Sequence, residues 1–151
     1  MFNIVLYEPE IPQNTGNIAR TCACTNTALH LIEPLGFDVS ESAIKRAGLD
    51  YWDKVTVKIY KSFDDFLEKN EGANCYFLSK KASTSYTSVK YKDGDFLVFG
   101  KETKGLPDSL LEKYANKALC IPMRDGVRCL NLSNSAAIVL YEALRQMDFK
   151  F

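Results

Sequence analysis

Histidine and tryptophan are almost absent from this chain of 151 residues, which has one of each. A zinc site or a catalytic triad that depends on histidine is therefore close to excluded, and we expect no metal partner. No run approaches the roughly 18 apolar residues that a membrane span needs, so we expect no membrane association. The first eight residues have no basic region and end in the charged Glu8, which excludes a signal peptide there. Net charge is also absent, with 19 Lys+Arg against 19 Asp+Glu, and this argues mildly against nucleic acid as a partner.

The composition is that of a globular protein, with 46% hydrophobic and 25% charged residues. The length fits a single domain over residues 1–151, with a core large enough to be stable without metals or disulfides. The five cysteines are an odd number, and without an export signal they indicate reduced thiols in the cytoplasm. We expect Cys24, Cys75 and Cys120 to lie in apolar surroundings. Cys22 and Cys24 are either a redox pair or, more commonly, small buried thiols on a helix.

Strands and helices alternate along the chain. Apolar, β-rich segments predict six strands, over Phe2–Tyr7, Ala28–Ile32, Lys54–Tyr60, Asn74–Leu78, Asp95–Phe99 and Ala118–Ile121. Helices are predicted over Ile18–Cys24 behind the cap residues Asn14–Asn17, over Ser40–Ala47, from Ser62, from Pro107 and over Ser133–Met147. Strands separated by helices are typical of βαβ units. The fold class is therefore α/β, a three-layer domain with a mostly parallel sheet.

Ligands of such sheets bind at the carboxyl ends of the strands, which selects the loops after Leu78, Phe99 and Ile121. All three loops are polar. Gly100 stands directly at a strand end, where backbone can approach a ligand closely. Neither a phosphate-binding Walker loop nor a dinucleotide fingerprint occurs, so a generic nucleotide-binding protein is disfavoured.

Each of these features also has a plainer interpretation. Gly100 and Gly105 are equally well turn glycines, and Lys80 and Lys81 a solvated loop. Asn131 and Ser133 could merely cap the last helix. Arg20 could be an ordinary exposed helix residue, although a cation one turn after a helix start opposes the helix dipole, which slightly favours a functional role.

Three motifs, in order along the chain, carry a family resemblance. They are Pro12-x-Asn14-x-Gly16-Asn17-Ile18-x-Arg20, then Phe99-Gly100-x-Glu102-x-x-Gly105-Leu106-Pro107, and then Ile121-Pro122-Met123 followed by Arg128 and Leu130-Asn131-Leu132-Ser133-Asn134. With them the chain closely resembles the SPOUT class of RNA methyltransferases, and within it the short TrmL/YibK-like tRNA ribose 2′-O-methyltransferases. The segment Arg46–Tyr51 also resembles this subfamily, and the resemblance covers the whole chain.

The resemblance implies a C-terminal trefoil knot, which topology rules would not have predicted. It also implies S-adenosylmethionine as the cofactor, with S-adenosylhomocysteine as the product. Mapped by motif position, the cofactor contacts are Leu78, Gly100, Ile121 and Cys129. Cys129 departs from the serine usual in the family, and a thiol is the weaker hydrogen-bonding group.

The residues that the resemblance implies around the reacting ribose are Arg20, Asn14, Glu102 and Asn131. Guanidinium is a poor base, so our hypothesis is that Arg20 clamps a phosphate and stabilises developing charge. Glu102 is equally well a structural residue that hydrogen-bonds backbone across the knot. A basic face for tRNA is expected from Arg20, Lys45, Arg46, Lys80, Lys81, Lys101, Lys104, Arg124 and Arg128.

The implied activity is 2′-O-methylation of the wobble nucleotide, C or U at position 34 of the tRNA anticodon loop, with leucine tRNAs as the expected substrates. The enzyme is expected to be a cytoplasmic homodimer. The alternative is a noncatalytic RNA-binding module that keeps the same fold, for which only the departure at Cys129 speaks.

Overall fold

The computed structural model describes residues 1–39 and 51–151. The strands are β1 (Asn3–Tyr7), β2 (Ala28–Ile32), β3 (Val57–Tyr60), β4 (Cys75–Leu78), β5 (Phe96–Phe99) and β6 (Ala118–Leu119). The helices are α1 (Pro12–Thr25), α2 (Phe63–Lys69), α3 (Asp108–Lys113) and α4 (Leu132–Gln146), with short 3-10 turns at Trp52–Lys54 and Ala115–Lys117. The predicted helix Ser40–Ala47, with Lys45 and Arg46, lies outside the described residues.

The six strands form one sheet in the order β3-β2-β1-β5-β4-β6, and every pairing within it is parallel. The predicted α/β class and mostly parallel sheet are confirmed. From β1 the chain extends the sheet on one side through β2 and β3, and it forms β4, β5 and β6 on the other. The strand order therefore reverses between β1 and β5, which is where open parallel sheets bind ligands.

Helices cover both faces of the sheet, as a three-layer arrangement requires. On one face α1 and α4 pack together, and Ile18 and Leu140 are fully buried there. On the other face α2 and α3 cover a cluster that includes Phe66 and Phe77. Because the central strands are covered on both faces, β4 and β5 are continuous apolar runs with no alternation.

Helix α1 begins at Pro12, so the prediction that Asn14–Asn17 lie before the helix was wrong. Asn14, Thr15 and Gly16 are instead buried in its first turns. The N-cap residue is Ile11, whose side chain makes no capping hydrogen bond. The carboxylate of Glu102, from a distant loop, accepts from the N–H groups of Glu10 and Ile11 directly before the helix.

Five strands are shorter than predicted: β1, β4 and β5 each begin one residue later, and β3 and β6 differ by more. β3 begins at Val57, since Trp52–Lys54 forms a 3-10 turn. It is an edge strand, and Ile59 is 39% exposed whereas Tyr60 on the opposite face is buried. β6 ends at Leu119, and Cys120 makes a separate bridge to Ser85.

The two cysteines of α1 have different environments. Cys22 is buried and Cys24 is exposed, so the expectation that Cys24 lies in apolar surroundings was wrong. Residues two apart on a helix do not face each other. Burial raises the pKa of the Cys22 thiol to about 12, which keeps it unreactive. The geometry therefore does not favour a redox pair.

His30 is the centre of a buried polar cluster on β2. Its Nδ1 lies 2.8 Å from the Tyr60 hydroxyl and its Nε2 lies 3.0 Å from Asn3 Oδ1. The rings of Phe66 and Phe96 pack against it. Burial, and secondarily the charge of Lys58, lowers the pKa of His30 to about 4. The imidazole is therefore neutral at physiological pH.

We expect the free energy of unfolding to fall as the pH decreases from about 6.5 towards 4. In the unfolded chain His30 binds a proton with a pKa near 6.5. In the folded protein the pKa of His30 is lowered to about 4, so within this window the proton binds mainly to the unfolded chain. The difference is at most about 3 kcal/mol at the acid end. Urea unfolding across this range should give a shallower pH dependence for His30→Leu than for the wild type. Equal slopes in the two proteins would contradict this origin.

Candidate active site

Glu102, in the loop after β5, binds the beginning of α1. Its Oε2 accepts from the N–H of Glu10 at 2.8 Å, and its Oε1 accepts from the N–H of Ile11 at 3.1 Å and from Asn14 Nδ2 at 3.3 Å. A negative charge at a helix N-terminus also interacts favourably with the helix dipole. One carboxylate thus fixes the first turn of α1 to the carboxyl end of β5.

Asn14 extends this contact to the last helix. Its Oδ1 accepts from Asn131 Nδ2 at 3.0 Å, and Asn131 Oδ1 in turn accepts from the N–H of Ser133 at 2.8 Å as the N-cap of α4. Glu102, Asn14 and Asn131 therefore form one hydrogen-bonded chain, which we call the Asn14 chain. Asn131 caps α4 and also belongs to the Asn14 chain, so the interpretation as a helix cap and the interpretation as a site residue are compatible.

Arg20 is not part of the Asn14 chain. It is exposed on α1, about 9 Å further along the helix axis than Asn14. Its guanidinium lies 5.2 Å from the centroid of the Tyr51 ring, a cation–π contact that the sequence did not predict. Within residues 1–39 and 51–151 it has no carboxylate partner.

Three of the four positions expected to contact a cofactor lie at one edge of the sheet. Leu78 is in register with Phe99 on one side and with Leu119 on the other. Gly100 follows Phe99 by one residue and Ile121 follows Leu119 by two, so all three positions lie at the carboxyl ends of neighbouring strands. The backbone N–H and C=O of Ile121 have no hydrogen-bond partner among the described residues. Free backbone groups beside apolar side chains suit the recognition of a planar base.

Glycine is required at position 100 because a side chain would not fit there. A Cβ atom there would lie 2.2 Å from the carbonyl carbon of Gly105 and 2.3 Å from the nitrogen of Leu106. The chain turns back tightly here, with the Gly105 N–H donating to the Lys101 carbonyl at 2.9 Å. Gly105 has φ +66 and is a turn glycine. Glycine is therefore needed at position 100 to avoid a steric clash and at position 105 to allow a positive φ.

Cys129 lies in the exposed segment 122–131 that precedes α4. In the described part of the chain no hydrogen bond joins it to Leu78, Gly100 or Ile121. The structure thus brings three of the four expected cofactor positions to one edge, and the fourth stays a prediction from the resemblance.

Sequence reasoning missed the contacts by which four side chains connect the loops after β1 and β5. Lys101 Nζ donates to Glu8 Oε2 at 3.0 Å, and Thr103 Oγ1 donates to Glu10 Oε1 at 2.8 Å. The hydrogen bond to Glu8 raises the pKa of Lys101 above its ordinary value. The signal was the pair Glu8-x-Glu10 against Lys101-x-Thr103, which has meaning only once β1 and β5 are known to be neighbours.

Among the predicted basic residues, Lys101 is therefore paired. Lys81 also has a carboxylate partner, Asp108, at 2.7 Å. Within the two described ranges, no group of three His, Cys, Asp or Glu side chains could hold a metal ion. No helix in those same ranges is long and apolar enough to cross a membrane.

The sheet, its reversal between β1 and β5 and the polar chain at that point define an α/β protein with a ligand site at the carboxyl edge of its strands. Its family is shown by a match of residues 1–141 to the model described as the SpoU rRNA Methylase family. The chain belongs to this family.

Similar proteins resemble this chain over its length. A relative from Listeria monocytogenes serotype 4b (strain F2365) is 57% identical over 97% of this chain and 89% of its own. A protein from Methylovorus glucosotrophus (strain SIP3-4), named tRNA (cytidine(34)-2'-O)-methyltransferase, is 45% identical over 99% of this chain and 97% of its own. A structure solved for insights into the 2-OH methylation of C/U34 on tRNA superposes with a TM-score of 0.93, at 44% identity, over 99% of this chain and 98% of that chain.

Proposed function

We propose that this protein is an enzyme that transfers a methyl group from S-adenosylmethionine to the ribose 2′-hydroxyl of the wobble nucleotide, C or U at position 34, of tRNA. We take leucine tRNAs as its expected substrates and the cytoplasm as the place of the reaction. The observation that carries the proposal is the Asn14 chain, which joins three residues of the resembled motifs at the carboxyl end of β5. The reaction named for a relative that matches over nearly its whole length also supports the proposal.

Leu78, Gly100, Ile121 and Cys129 are the residues that would hold the cofactor. Leu78 and Ile121 pack against the core beside the end of β5, so their side chains are fixed before any ligand arrives. When bound, S-adenosylmethionine supplies an activated methyl group and leaves as S-adenosylhomocysteine. The protein therefore contributes alignment and exclusion of water.

The Asn14 chain supplies alignment on the substrate side. The Asn131 side chain is held by Asn14 and by the first turn of α4, which gives it one orientation towards a ribose. The Glu102 carboxylate is used by three N–H donors, so its part is to hold Asn14 and the helix start. Arg20 then acts as the phosphate clamp, since a planar guanidinium can make two parallel hydrogen bonds to an anion.

Arg20→Lys is expected to lower kcat/KM by about ten-fold or more while the melting temperature stays unchanged. Lysine keeps the charge but loses the planar fork that binds phosphate with two bonds. Steady-state methyl transfer with tRNA measures the effect, and Arg145→Lys, at the far end of α4, is the matched control. Full activity of Arg20→Lys would sink the clamp hypothesis.

The proposed fold of the 151 residues is one SPOUT methyltransferase domain with a trefoil knot. The loop between β4 and β5 supports this by its contacts on two sides. At the sheet edge, the Tyr86 N–H donates to the Cys120 carbonyl at 2.9 Å. On the helix side, the Tyr91 N–H donates to Gln146 Oε1 at 3.0 Å. A chain that runs from Cys120 to Gln146 inside this loop would be threaded through it.

We further propose that the enzyme is a homodimer. Apolar side chains on the outer face of α4 and in the tail support it, since Ile138 is 36%, Tyr141 45% and Phe149 47% exposed. A helix pair across a two-fold axis would bury them. The separation of Arg20 from the Asn14 chain fits a site to which two copies contribute.

The direct test is methyl transfer from labelled S-adenosylmethionine to unmodified tRNA, followed by digestion and separation of nucleosides. We expect a 2′-O-methylated pyrimidine at position 34. Transcripts with A or G at that position are the matched controls. Cofactor binding without turnover on any tRNA would favour the noncatalytic RNA-binding module, whereas no cofactor binding at all would overturn the proposed fit of the strand ends.

A further inference from the structure

Two loops of the proposed site, one after β1 and one after β5, are joined by side chains to which the proposed reaction assigns no role. The segment Glu8–Ile11 leads into α1, which carries Asn14 and Arg20. The segment Gly100–Leu106 begins at the expected cofactor contact and folds back on itself. Lys101–Glu8 and Thr103–Glu10 connect the two segments at 3.0 and 2.8 Å, and Glu102 binds beside them. We call Glu8, Glu10, Lys101 and Thr103 the loop clasp.

The ion pair of the clasp is partly shielded from water. The side chains of Lys101 and Glu8 are only 25% and 22% exposed. Those of Lys81 and Asp108, an ordinary surface pair, are 57% and 72% exposed. Because a less solvated pair interacts more strongly and is screened less by salt, the Lys101–Glu8 contact holds its geometry better than a surface pair does.

The backbone at Glu8 is a second, independent observation. Glu8 has φ 49, in the left-handed region that favours glycine or asparagine over a long carboxylate side chain. Strained residues persist where the surrounding structure fixes them, and they cluster at functional sites. The Glu8 N–H donates to the Ile32 carbonyl at 3.0 Å and its carboxylate meets Lys101, so both ends of this residue are fixed.

We propose that Glu8, Glu10, Lys101 and Thr103 are positioning residues that couple the cofactor loop to the helix carrying Asn14 and Arg20. A ligand at Gly100 that fixes the 100–106 loop would also fix the start of α1, and tRNA bound at α1 would fix the loop in return. Coupling of this kind is reciprocal and is measured as a ratio of affinities. The inference rests on the proposed function, since it takes the cofactor and tRNA as the two ligands.

The test is a binding cycle with S-adenosylhomocysteine and unmodified tRNA, which form a complex without turnover. In the wild type, saturating S-adenosylhomocysteine should tighten the tRNA Kd by about five-fold or more. In Glu8→Gln this ratio should fall to within about two-fold of one, although each ligand alone still binds. In Lys101→Met the ratio should fall equally, whatever the lost charge does to the affinity for tRNA alone. The reversed pair, Glu8→Lys with Lys101→Glu, should restore much of the ratio. A purely structural role would weaken single-ligand binding and leave the ratio unchanged.

Lys69→Met is the matched control, because it removes the exposed ion pair with Asp65 on α2, away from both loops. Melting temperatures identify any variant that fails to fold, and Thr103→Val, which removes only one neutral donor, then takes its place. A wild-type ratio near one, or unchanged ratios in the clasp variants, overturns the inference while normal methyl transfer leaves the proposed function intact. A wild type that binds no S-adenosylhomocysteine overturns both.

Discussion

Gly100→Ala is expected to destabilise the protein by about 1–3 kcal/mol or more and to abolish measurable binding of S-adenosylmethionine. The added Cβ would lie 2.2–2.5 Å from three backbone atoms of Gly105 and Leu106. Backbone atoms cannot rotate away as a side chain end can, so the whole turn must move. Leu106 is 3% exposed and anchored in the core, which resists that movement.

The measurements are urea unfolding and calorimetric titration with S-adenosylmethionine. Gly72→Ala is the matched control, because a Cβ at Gly72 meets nothing within 4 Å and only its φ of +79 is unfavourable. The control should lose about 1 kcal/mol and no cofactor affinity. If Gly100→Ala behaves like Gly72→Ala, crowding at the end of β5 is not the reason for glycine there.

Glu102→Gln is expected to lower the free energy of unfolding by about 2 kcal/mol and to reduce turnover by about ten-fold or more. The carboxylate accepts from two backbone N–H groups on one loop and from the Asn14 amide. Glutamine of the same size offers only one oxygen, and its NH2 group must face an N–H donor. The loss reaches Asn131 through Asn14, because the two amides are directly bonded.

This prediction separates the two roles considered for Glu102. A general base would lose turnover without losing stability when it becomes an amide. A residue that holds the start of α1 loses both together. Urea unfolding and methyl transfer on the same variant decide between them, with the exposed Glu112→Gln on α3 as the control. A Gln variant that is fully stable and inactive would reverse our assignment.

Local patterns were sufficient to predict most of the elements. Strand β2 has its predicted bounds, and α4 lies within one residue of its prediction. The Asn131 cap was also recognised, because capping is decided by residues two or three apart. The predicted start of α1 was wrong because it depends on a contact between residues far apart in the sequence. The residues directly before α1 are held by Glu102, which lies 92 positions from Glu10 along the chain.

The sequence by itself therefore determined the fold class, the loops at the strand ends and the residues of the resembled motifs. These depend on the spacing of apolar and turn residues, which is a local property. Only the tertiary structure decided that β1 lies beside β5, and with it the Asn14 chain, the loop clasp and the crowding at Gly100. Strand order arises from contacts between segments about ninety residues apart, and no local pattern records which strands become neighbours.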